Sequence, residues 1–232
     1  MSIKILCLSD THGLHDRIQP NWLPHADVLI HAGDISNVGR AGEIDHFCDW
    51  FAGLKGYGMK IFIAGNHDLG FEEKSRSYKE VQAILSTYKN DIIYLQDSGV
   101  QFIKDKGLDT EEKINIWGSP WQPWFHDWAF NLQRGKELAD KWNLIPEDTH
   151  VLVTHGPPYG TGDFVPYKGG ENVGCEELLI RTKLLPNLQA HIYGHIHYSY
   201  GKTMAHGYLQ SINASTCNEA YQVVNKPIMI EL

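Results

Sequence analysis

The 232-residue chain has no apolar run approaching the ~20 residues that cross a bilayer, and no internal repeat or low-complexity tract. A helical membrane span, a solenoid and a collagen-like rod are thereby excluded. Cysteine is sparse: Cys7, Cys48, Cys175 and Cys217 stand far apart and form no CxxC pair. Neither a disulfide framework nor a thiolate metal knuckle is expected. The cysteines read instead as reduced core thiols of a cytoplasmic protein. Met1–Asp10 lacks the basic and apolar regions of a secretory leader. Basic residues are outnumbered, 20 Lys and Arg against 28 Asp and Glu, for a formal net charge of −8. That balance excludes broad binding to nucleic acid or to an anionic membrane surface.

What is present is ordinary globular usage, 42% hydrophobic and 21% charged, enough to bury a large core without staples. Short branched runs alternate with helical stretches. Ile3–Ser9, Val28–Ala32 and Lys60–Ala64 are predicted as buried strands, with helices over Gly42–Leu54 and Ser77–Tyr88. Later strands are predicted at Ile92–Leu95, Val100–Ile103, Ile114–Trp117, His150–Thr154, Ala190–Tyr193, Tyr208–Ala214 and Ile228–Glu231. Ala129–Lys141 and Val173–Leu184 are predicted as helices. No break in composition marks a boundary, so residues 1–232 are expected to form one α/β domain with two packed sheets.

Histidine is the unusual residue, at 13 copies. The ends of the predicted strands run into Asp10-Thr11-His12, Gly33-Asp34, Gly65-Asn66-His67-Asp68, His155 and Gly194-His195-Ile196-His197. Carboxyl ends of strands form the ligand crevice in layered α/β folds. Asp, Asn and His offer oxygen and imidazole donors, suited to Mn, Fe, Zn or Mg rather than to thiophilic ions. Glycines before Asp34, Asn66 and His195 allow sharp turns that bring backbone close to the site.

In this order, D-x-H, G-D, G-N-H-D, H and G-H-x-H resemble the calcineurin-like metallophosphoesterase superfamily. Ile63–His67, Gly118–Phe125, Trp142–Pro146, Thr154–Pro158 and Asn213–Cys217 narrow the resemblance to its metallophosphoesterase-domain-containing subfamily. The resemblance implies a four-layer α-β-β-α sandwich with two divalent ions, Mn being the one expected to serve in vitro. Asp10, His12 and His197 would hold one ion and Asn66, His155 and His195 the other, with Asp34 bridging. His67 would face the phosphate of a substrate also touched by Asn66.

Two divalent ions, two carboxylates and one hydroxide leave the site formally about +1, so an acidic chain can still attract a phosphate. The expected reaction is in-line attack of a metal-bridging hydroxide on phosphorus, with His67 donating to the phosphate and the leaving oxygen. Thr11, Ser36 and Cys7 are given structural roles, and Asp68 either holds a turn or orients His67. The substrate is expected to be a nucleotide-like or small phosphodiester. Alternatives are a phosphomonoesterase or protein phosphatase, and a nucleotide-binding scaffold with little turnover. The stretch Gly33–Gly39 departs from the G-D-x-V-D-R-G of protein phosphatases.

His15, His25, His46, His126, His150, His191 and His206 are expected at the surface or as caps, and His31 in support of a ligand. Trp121, Trp124, Phe125 and Trp128 crowd one loop with Pro120 and Pro123. That loop either closes the second sheet or forms a wall on which a base stacks.

Overall fold

A computed structural model of the chain describes residues 2–107 and 110–232. One sheet is built from β1 (Lys4–Leu8), β2 (Ala26–Ala32), β3 (Tyr57–Ile63) and β4 (Ile93–Tyr94), all parallel. The C-terminal β15 (Ile228–Glu231) closes its edge antiparallel to β1. The second sheet centres on parallel β6 (Thr110–Ser119), β9 (Val151–Thr154), β12 (Ala190–Tyr193) and β14 (Leu209–Asn213). Antiparallel β5 (Ser98–Gly107) and β13 (Gly201–Ala205) form its edges. Two short ladders join β7 (Gln122–Pro123) to β8 (Asn131–Leu132) and β10 (Phe164–Val165) to β11 (Glu171–Asn172).

The period-2 alternation of the strands sorts their side chains into three apolar layers. Ile5, Cys7, Val28, Ile30, Ile61 and Ile63 from the first sheet meet Ile114, Ile116, Val151, Val153, Ile192 and Ile212 from the second. The intervening residues Leu6, Leu8, Leu29 and Phe62 face α1 (Ala41–Gly53) and α2 (Tyr78–Tyr88), meeting Ile44, Phe47, Phe51 and Val81. On the far side, Leu152 and Leu209 meet Leu138 and Trp142 of α3 (Lys136–Trp142) and Leu178 of α4 (Glu176–Leu184). The result is the expected α-β-β-α sandwich. Among the described residues no helix is long and apolar enough to cross a membrane.

Several local expectations change. The helix expected over Ala129–Lys141 is confined to α3, because β8 pairs with β7 and Gly135, at φ 90°, precedes the first helical turn. The helix expected from Val173 starts at Glu176, with the Cys175 thiol accepting from the Leu178 N–H. Strands β5 and β6 run to ten residues each, well beyond their apolar centres. Strand β13 was not expected at all; most of its side chains are exposed. His15 and His191 are buried rather than superficial. All four cysteines are buried and free.

Candidate metal centre

The parallel strands bring their carboxyl ends to one rim. Beyond β1 and β2 the backbone pairing persists: Asp10 N–H donates to Gly33 O at 2.9 Å, and His12 N–H to Asp34 O at 3.0 Å. This ribbon turns Asp10, His12 and Asp34 into the left-handed region, with φ of 52°, 45° and 54°. His195, at 66°, joins them. Such conformations are costly for side-chain-bearing residues and concentrate where function constrains the chain. At two turns only glycine fits. A Cβ on Gly194 would lie 1.9 Å from Asp10 Oδ2, and one on Gly65 would lie 2.3 Å from Asp34 Oδ1. These close approaches are to the acidic side chains themselves.

Asp10, His12, Asp34, Asn66, His155, His195 and His197 converge as expected. The candidate ion-holding groups include Asp10/His12/His197 and Asp34/His155/His195, each with donor atoms within 4.8 Å of one another. Asp34 also falls in a third such group with His12 and His67. Its Oδ2 is 3.3 Å from His155 Nε2 and 3.8 Å from His12 Nε2. Its Oδ1 accepts the His67 backbone N–H at 2.8 Å.

The donor chemistry fits cations. His155 Nδ1 lies 3.0 Å from Ala32 O and must donate to it. Its Nε2 then turns a lone pair toward Asn66 Oδ1, at 2.9 Å, and toward Asp34 Oδ2. His197 repeats the device: Nδ1 faces Asn218 O at 3.0 Å, and Nε2 faces Asp10 Oδ1 at 3.2 Å and His12 Nε2 at 3.4 Å. An imidazole anchored by its outer N–H to a backbone carbonyl is the usual arrangement of a metal-ligating histidine. Lone pairs converging in this way need a cation between them, whether a metal ion or a proton.

The titration behaviour agrees. Burial opposes the charged form of His155 and His197, yet Asp34 and Asp10 respectively raise each to about 9. Burial pushes His12 down to about 4 and His195 to about 3. Burial also opposes ionisation of Asp34 and Asp10, but His155 holds the first well below the usual carboxylate range and His197 lowers the second. Two protons thus sit on the rim where positive charge is wanted.

Asp68 resolves to the turn-holding role. Its carboxylate accepts from Ser36 Oγ at 2.6 Å and from the N–H groups of Gly65, Ser36 and Ile35 at 2.8, 3.0 and 3.2 Å. It ties the loops after β2 and β3 together and makes no contact that would aim His67. Burial, aided by Asp34, raises it to about 7. His31 supports the site at one remove, its Nε2 meeting Thr11 Oγ1 at 3.0 Å.

His67 stands at the mouth of a cleft of about 310 Å³ that reaches His12, Asp34, Asn66, His195 and His197. Its ring stacks on Trp128 at 4.1 Å and meets His12 edge-on at 4.7 Å. Nδ1 lies 2.7 Å from Asn37 O, which leaves Nε2 free of that carbonyl. The aromatic loop divides. Trp128 and Phe125 line the cleft, whereas Trp121 is fixed by Asp97, which accepts its Nε1–H at 2.9 Å. Trp124 is 58% exposed and does not line the cleft, so it drops out of the expected wall. Tyr167, Tyr198 and Tyr221 line the cleft instead and were not anticipated.

Also unanticipated were Ser215 and Asn213. Ser215 Oγ donates to Asp10 Oδ2 at 3.0 Å. Asn213 Nδ2 donates to Ile196 O at 2.8 Å, pinning the loop that carries His195 and His197. The Asn213–Cys217 stretch carried the signal as a segment with no role attached.

Residues 3–199 match the family model described as calcineurin-like phosphoesterase. Metallophosphoesterase domain-containing protein 1 of Homo sapiens is 43% identical over 99% of this chain and 71% of its own length. The Mus musculus protein of the same name matches equally. Among solved structures, a putative 5′-nucleotidase from Staphylococcus aureus superposes with a TM-score of 0.52 at 11% identity, covering 100% of this chain and 54% of that one. At that identity the likeness speaks for the fold alone.

Proposed function

From the premise that this chain belongs to the calcineurin-like phosphoesterase family, we propose that it is a dinuclear metal-dependent phosphodiesterase acting on a nucleotide-like or small phosphodiester. Asp10, His12 and His197 hold one divalent ion, and Asn66, His155 and His195 hold the other. The observation that carries the reading is the place of Asp34, whose Oδ2 lies between His155 Nε2 and His12 Nε2. A carboxylate oxygen there can serve both ions. When bound, the ions would supply a hydrolytic nucleophile at neutral pH and neutralise charge on the phosphate.

The protein's own residues supply the rest. With Ala32 O and Asn218 O taking the outer protons, His155 and His197 would turn their inner nitrogens to the cations, which would displace the protons that Asp34 and Asp10 otherwise favour there. His67, its ring fixed by Trp128 and its Nδ1–H held by Asn37 O, would donate from Nε2 to a phosphate oxygen and then to the departing alcohol as the imidazolium, the form in which both ring nitrogens carry protons. Asn66 lies in the same cleft, within reach of the substrate. The diester preference is supported by the cleft wall. Phe125, Trp128, Tyr167, Tyr198 and Tyr221 offer apolar surface to a second esterified group. Glu219, in the same lining, disfavours a dianionic monoester. Donors from both sheets are needed to complete the site, which supports one domain spanning 1–232. The buried free cysteines support residence in a reducing compartment such as the cytoplasm.

The test is a panel of Mn, Fe, Zn, Mg and Co on chromogenic mono- and diesters, extended to cyclic nucleotides. Metal-dependent diester hydrolysis, strongest with Mn and faster than with the matched monoester, is expected. Hydrolysis of monoesters alone overturns the diester reading. Tight nucleotide binding with no turnover under any metal makes the protein a scaffold.

A further inference from the structure

A second set of metal-competent side chains lies outside the cleft. The loop that carries Asp10 and His12 continues into a short 3-10 turn at His15–Arg17, which packs on α1. His15, Asp16 and His46 meet there, their donor atoms within 4.8 Å of one another. His46 projects from α1, and its Nε2 is 2.9 Å from Asp16 Oδ2.

His15 is the informative member. It is fully buried, and neither ring nitrogen has a hydrogen-bond partner. The other buried histidines each satisfy at least one nitrogen: His12 with His197, His31 with Thr11, His155 with Ala32 and Asn66, and His191 with Thr154. Buried polar atoms are nearly always paired, and an exception calls for an absent water or ion. The ring of His15 is held between apolar neighbours, tilted against Trp50 at 4.9 Å and edge-on to Phe47 at 5.6 Å, with His46 at 4.6 Å. Burial, reinforced by His46, lowers His15 to about 4, so at neutral pH the ring is uncharged and offers a lone pair. Asp16 and His46 are more than half exposed, which leaves the group open to solvent on one side.

We propose that His15, Asp16 and His46 form a separate site for a divalent transition-metal ion of the Zn2+ class, clipping the loop after β1 to helix α1. Two imidazoles and one carboxylate, with no thiolate, match the preferences of Zn2+, Co2+ and Ni2+ better than those of Ca2+ or Mg2+. Solvent completes the coordination on the exposed side. The site owes nothing to the phosphoesterase reading: it would exist if the cleft hydrolysed nothing.

The experiment measures bound Zn2+ per chain by plasma mass spectrometry after equilibration and desalting, on untagged protein. Wild type, His46→Ala, His15→Phe and the double variant Asp34→Asn/His46→Ala are compared with Asp34→Asn alone. His46 is exposed, so its loss leaves the fold intact. His15→Phe keeps the buried volume and removes only the nitrogens. The expected result is one equivalent fewer in His46→Ala and in His15→Phe than in wild type. The same loss of one equivalent is expected in the double variant relative to Asp34→Asn. Co2+ should give a visible ligand-field band in Asp34→Asn that is absent from the double variant. Equal Zn2+ content in wild type and His46→Ala, or in Asp34→Asn and the double variant, overturns the site.

Discussion

The two halves of the proposed metal centre are built differently. The half made of Asp10, His12 and His197 has a carboxylate of its own, and that carboxylate is heavily tethered. Both oxygens of Asp10 accept the His195 N–H, at 3.0 and 3.1 Å, and Ser215 Oγ adds a second donor. The half made of Asn66, His155 and His195 has only neutral donors and relies on Asp34 for charge. An ion in the first half would therefore gain a full Coulomb attraction, while an ion in the second would have to share Asp34 with its neighbour. The amide half should exchange its ion first when a chelator is titrated in.

The most severe disruption of this comparison is Asp34→Asn, which removes the only charge common to both halves. Both ions should be lost from the centre and turnover with them, by more than the ~100-fold typical of an indirect partner. Metal content of the desalted variant decides it: an unaltered ion in either half argues against bridging. Next in size is His67→Ala, which touches neither half. It should retain both ions while kcat falls by ~10²–10⁴, and an empty site in this variant would falsify the assigned role. Smaller and more selective is Ser215→Ala. It removes a donor from Asp10 alone, so affinity in the anionic half should drop ~10–100-fold and affinity in the amide half should hold. Competition with a fluorescent chelator reads the two steps apart, and an equal drop in both erases the distinction drawn above.

The smallest effect lies outside both halves, at His191. Its Nε2 contacts Thr154 Oγ1 at 2.8 Å, and burial pushes it from 6.5 down to about 3. The unfolded chain therefore takes up this proton first. Stability is full above pH 6.5 and is lost as pH falls toward 3. His191→Gln, which keeps a partner for Thr154 and cannot titrate, should make the acid limb shallower by about 1.4 kcal/mol per pH unit midway between pH 6.5 and 3. Urea midpoints at several pH values measure it, and parallel limbs in the two proteins would remove His191 as a source of acid sensitivity.

The convergence of the candidate ligands was legible because each donor sits in a short polar motif directly after a branched apolar strand. Asp10, Asp34, Asn66, His155 and His195 could be found without knowing how the strands pair. The parts that were not legible depend on pairing. Ser215 reaches Asp10 across 205 positions, and nothing in its neighbours distinguishes it from any other strand-end serine. His191 alternates with Ile192 on β12, but one buried histidine has no periodic signature. Strand β13 was invisible because its exposed face offers no apolar alternation. The aromatic loop divides between its two expected roles, and composition cannot say which of several tryptophans in one loop turns inward: Trp128 does, by stacking on His67, and Trp124 does not.

The long reach of these contacts bears on how the molecule folds. His197 meets Asp10 across 187 positions, and the two belong to loops that leave different sheets. Contacts of such separation form only after the intervening chain has closed, and they slow folding. No partly folded segment can therefore assemble the ring, and a cation that requires the whole ring binds only finished molecules. Its affinity would then add to the stability of the entire sandwich by mass action. Metal supply would set both the activity of the centre and the lifetime of the chain that bears it.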